Sequence, residues 1–169
     1  LTLVLRYDVS IYGRPGLLNG QATLWIYWLL FEGFDLLDIW RNGPRAGLQR
    51  SIFLLNLAGF AGAAMLHHWN ISSAETARFF AFSAMAYLTS SLMRAWLVRT
   101  SELRDEGVWR GGYEGSAGAA AGLMAAALIQ RYSGLQMPLA LLMEGEIVVL
   151  AALYLRNKWI HAVGGVVLF

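Results

Sequence analysis

Five carboxylates, one arginine and two histidines lie inside otherwise apolar stretches, and they are the residues of this chain best placed to do chemistry. Glu32 and Asp35 stand three apart, which sets them on one helical face, and Asp38 follows a turn later. Arg94 is the one charge in the apolar stretch from Phe79 to Val98, and it falls at a depth similar to that of Asp35. The spacing therefore predicts an Asp35–Arg94 ion pair inside the apolar medium. The plainer reading makes the pair an internal staple, or lets both side chains reach along their stems to the boundary. The functional reading is a proton or ion relay through Glu32, which has no cation at its own depth.

Glu144 and Glu146 are two apart and point about 200° apart on a helix, so they cannot serve as a paired acid and base. They read as candidate ion sites or as polar packing points, and a protonated His67 or His68 is the cation that could serve them. His67 and His68 are adjacent and face different ways, without the four-residue spacing of a two-histidine metal face. They read as boundary histidines, with a haem or pigment ligand as the alternative. Asn56 reads as a hydrogen-bonding group between helices. No metal site and no cofactor are expected, apart from lipid.

The elements that must position these groups are helices. Hydrophobic residues make up 57% of the 169 residues and charged residues 14%, far below the charged share of ordinary soluble domains. Apolar runs of spanning length alternate with short Gly-, Pro-, Asn- and Arg-bearing loops. They predict an all-α, polytopic transmembrane bundle with spans at about 17–40, 51–69, 79–98, 116–130 and 138–155, and partial spans at both ends. The bundle reads as a single domain. Gly118 and Gly122 form a GxxxG, and Ala58 with Gly62 and Gly59 with Ala63 repeat the small-residue spacing, so these positions are expected at close helix contacts.

Nine basic residues fall in the segments around 41–50, 94–115 and 156–159, against four in the alternate ones. Basic loops stay on the inner face, which predicts a bacterial inner-membrane protein with loops 41–50, 99–115 and 156–159 cytoplasmic. Asn70-Ile71-Ser72 matches a glycosylation acceptor on the outer side, although a chance match is the better reading. The first residues, Leu1-Thr2-Leu3, and the last apolar run, from Ile160 to Phe169, read as interior to a longer polypeptide.

The absence of cysteine excludes disulfides, thiolate metal sites and a cysteine nucleophile. Twelve arginines and one lysine are dispersed, which argues against nucleic acid as a partner. There is no Walker loop, dinucleotide fingerprint, nucleophile elbow or zinc-protease motif.

Leu54-Leu55-Asn56 at the start of one span, Ala140-Leu141-Leu142-Met143-Glu144-Gly145 in another, and the basic turn and span from Arg156 to Phe169 carry a resemblance. Over residues 50–169 the chain resembles a section of the very large bacterial polytopic family of predicted membrane proteins of unknown function. The tryptophan that often precedes the glutamate in that family is replaced here by Leu142 and Met143. The resemblance implies a repeat-built helical membrane protein and brings no substrate or catalytic residue. The expected function is structural, in assembly with lipid and with helices of the same or another chain. A proton- or ion-coupled transporter segment is the first alternative, and a membrane enzyme acting on lipid-linked substrates the second.

Overall fold

A computed structural model describes residues 14–42, 48–68, 74–100 and 113–155. Among them there are five helices and no strand: α1 Arg14–Asn42, α2 Leu48–His67, α3 Ala74–Thr100, α4 Tyr113–Arg131 and α5 Gln136–Leu155. The protein is all-α. Each helix lies over one of the apolar runs read from the sequence, because turn-forming residues interrupt those runs where the helices stop. Asn42, Gly43 and Pro44 follow one another at the end of α1, and Gly134 takes a left-handed φ of 59° in the turn between α4 and α5.

Among the described residues no helix is long and apolar enough to cross a membrane. This overturns the five transmembrane spans and the placement of the chain in a bacterial inner membrane. Charged side chains interrupt three of the helices. Glu32, Asp35 and Asp38 break the apolar character of α1, and Glu75, Arg78 and Arg94 that of α3. Glu144 and Glu146 interrupt α5, and α4 is built mainly of Ala and Gly, which carry little apolar surface per residue. The partial end spans, the loops expected to be cytoplasmic apart from their edges within helices, and Asn70 lie outside the described residues.

The chain divides into two compact units, the first holding α1 and α2, the second holding α3 as far as Trp96 with α4 and α5. In the first unit α1 and α2 pack against each other. Gly20, Leu24, Trp28 and Glu32 form the buried row of α1, each one helical turn beyond the last, and Asn56, Phe60 and Ala64 form that of α2, closed by His67 and His68. The centre of the contact is aromatic. Trp25 and Trp28 meet edge to face at 5.6 Å, and Phe60 lies 6.4 Å from Trp25 and 6.5 Å from Trp28. In the second unit α4 packs against α5 across a four-residue turn, an antiparallel hairpin.

Candidate functional site

At one end of the α1–α2 hairpin the two histidines close α2. His68 Nδ1 lies 2.8 Å from the Ala64 carbonyl, which can only accept, so Nδ1 carries the proton. Nε2 then holds the lone pair and accepts from the Gln21 side-chain amide at 3.1 Å. His68 also donates its backbone N–H to the same Ala64 carbonyl, so one residue caps the last turn twice. Burial pushes the imidazole pKa down to about 4, and His67 pushes the same way, while the bond to Ala64 works in the opposite sense. His68 is therefore neutral at ordinary pH. Each of its ring nitrogens holds a hydrogen bond.

His67 is fully buried, its ring edge-on to that of His68 at 4.8 Å. It rests on the backbone of α1: a Cβ at Gly20 would stand 2.4 Å from two of its ring atoms. The close approach expected at the other glycines falls here instead. Gly62 and Gly122 have open space where a Cβ would be, and Gly59 has only the Tyr27 hydroxyl at 3.8 Å. Gly118 is half-buried. The missed signal is visible in the sequence, since Gly16 and Gly20 are themselves a GxxxG with both glycines buried.

At the other end of the aromatic cluster stand Glu32 and Asn56, 2% and 6% exposed. The antiparallel contacts of His67 with Gly20 and of Phe60 with Trp28 set a register that brings Glu32 and Asn56 to one level. The sequence reading named both without connecting them. Asp35 is half-buried a turn on, and Asp38 accepts a hydrogen bond from the Asn42 side-chain amide.

In the second unit α3 buries Thr76, Ser83, Tyr87, Ser90 and Arg94 along one face. Arg94 is 1% exposed, so it does not reach out to a boundary, and its Nε donates to Ser90 Oγ at 3.2 Å. Ser91 Oγ donates to the Tyr113 carbonyl at 2.7 Å, joining α3 to the first turn of α4. Asp35 belongs to the first unit and Arg94 to the second.

On α5, Glu144 turns inward and Glu146 is exposed. Both carboxylate oxygens of Glu144 are out of reach of solvent and have no hydrogen-bond partner among the described residues. Burial pushes its pKa up to about 7. Among the described residues no group of three His, Asp or Glu side chains could hold a metal ion.

No family model, curated protein or solved structure matches the chain.

Proposed function

We propose that the chain is a non-enzymatic assembly module whose outward apolar faces are covered by helices of a second copy. The observation that carries this reading is the outward apolar stripe of α3. Phe79 and Phe80 are buried beside Thr76, Ser83, Tyr87, Ser90 and Arg94, while Phe82, Met85, Leu92 and Trp96 stand exposed, Phe82 by 67% and Leu92 by 64%. Apolar faces of that kind mark interaction surfaces, because each Leu, Met or Phe moved out of water contributes about 1.5–3 kcal/mol.

The occupant is a helix because of the spacing. Phe82, Met85, Thr89, Leu92 and Trp96 advance by three and four in alternation, the period that keeps one helix seam against another. Related outward stripes run along α1 through Ile26, Leu30, Phe34 and Leu37, and along α5 through Leu139, Met143, Ile147 and Leu150. No charged side chain interrupts the α3 seam, which suits contact with an identical seam.

The absence of cysteine makes the test clean. Single-cysteine variants Phe82→Cys and Leu92→Cys of the purified chain should form covalent dimers under mild oxidation, whereas Ser133→Cys, exposed in the α4–α5 turn, should not. Equal crosslinking at all three positions, or none at the seam, would count against the proposal.

A further inference from the structure

Glu144 sits at the ninth position of a twenty-residue helix, on the row that faces inward with Leu141 and Val148. The short turn at 132–135 sets the antiparallel register and brings it level with Leu123 of α4. Between Gly115 and Gln130 that helix has no ionisable side chain. Its charges, Glu114 and Arg131, lie at its two ends, with Tyr113 beside the first and Tyr132 just past the second. On α5 itself the other described carboxylate, Glu146, is turned out to solvent. The cations of α3 in the same unit are Arg78, which is exposed, and Arg94, whose Nε donates to Ser90. Both Glu144 carboxylate oxygens are buried without a hydrogen-bond partner among the described residues. An ionised carboxylate in that position gives up its hydration without compensation, whereas a protonated one does not.

We propose that Glu144 is a proton-operated latch in the second unit: protonated, it lets α4 and α5 close on each other, and ionised, it drives them apart. Gly145 beside it is buried, and Gly134 takes its left-handed conformation in the turn that joins the two helices. The latch is independent of the assembly reading, since it concerns the inner face of α5 and that reading its outer stripe. Its working range follows from burial, which moves the group from 4.5 to about 7. A carboxyl raised on folding penalises the folded state only where the unfolded form has lost its proton. The closed hairpin is therefore undisturbed below about pH 4.5 and loosens progressively as pH rises through about 7.

Hydrogen exchange of the full chain, corrected for intrinsic rates and followed from about pH 5.5 to about pH 8.5, tests this. Wild-type protection of the α4 and α5 amides should fall by about ten-fold or more across the range. Glu144→Gln, which cannot ionise, should hold its protection constant, and Glu146→Gln should follow the wild type. Constant wild-type protection, or an equal loss in Glu144→Gln, would overturn the latch. Because the variant could fail to fold, carboxyl-carbon NMR of wild-type chain labelled at glutamate gives a second reading. One carboxyl titrating near pH 7 supports the proposal, and all titrating in the ordinary carboxylate range refutes it.

Discussion

Gly20 and His67 set the closest approach between α1 and α2, and a methyl group between them has nowhere to go. Gly20→Ala should therefore destabilise the fold by about 1–3 kcal/mol in denaturant unfolding, as overpacking does. The same change at Gly62, where space is open, should be neutral or stabilise by up to about 1 kcal/mol through helix propensity. His68 offers a check of a different kind. Its folded pKa lies below the ordinary value, so its contribution to stability is complete above about pH 6.5 and is lost as pH falls toward about 4. The His68 ring should show no protonation shift by NMR until pH falls well below 6, and Gln21→Leu, which leaves Nε2 without its donor, should cost about 1–3 kcal/mol. A ring titrating at the ordinary histidine value would contradict the assigned hydrogen bonds.

At the scale of elements, the five helices were legible because their limits are written in local chemistry. The run expected at 17–40 is the helix Arg14–Asn42, followed in sequence by Gly43 and Pro44, and that expected at 138–155 is the helix Gln136–Leu155, preceded by a turn with Ser133 and Gly134. What surrounds the helices was not legible from the same runs. A high apolar share suggests lipid, but none of the described helices is long and apolar enough to cross a membrane. Nor could the sequence say which face turns inward. In α3 Thr76, Ser83 and Arg94 turn inward beside Phe79 and Phe80, while Phe82 and Leu92 turn outward. Small-residue spacing likewise pointed to Gly62 and Gly122 rather than Gly20, because the motif is common and only packing selects the instance that matters. The bond from Ser91 to the Tyr113 carbonyl connects residues on separate helices and had no sequence signature. Its loss in Ser91→Ala should reduce stability by about 0.5–1.5 kcal/mol and raise exchange in the first turn of α4, whereas unchanged exchange there would place the joint elsewhere.

For the whole molecule, several of the described polar groups with chemical capacity lie inside, while Glu146 and Arg78 are exposed. Glu32 and Asn56 lie in the core of the first unit, and Arg94 is buried in the second. Large apolar side chains, Phe34, Phe82 and Leu92 among them, are left outside. A chain arranged this way has its unmet interactions on its surface, and association is the reading that uses them. Light scattering of the purified chain across a concentration series measures this most directly. The account predicts a dimer or larger species that Met85→Asp with Leu92→Asp converts to a folded monomer. A wild-type chain that stays monomeric throughout, with Phe82 and Leu92 positions freely accessible to label, would contradict it.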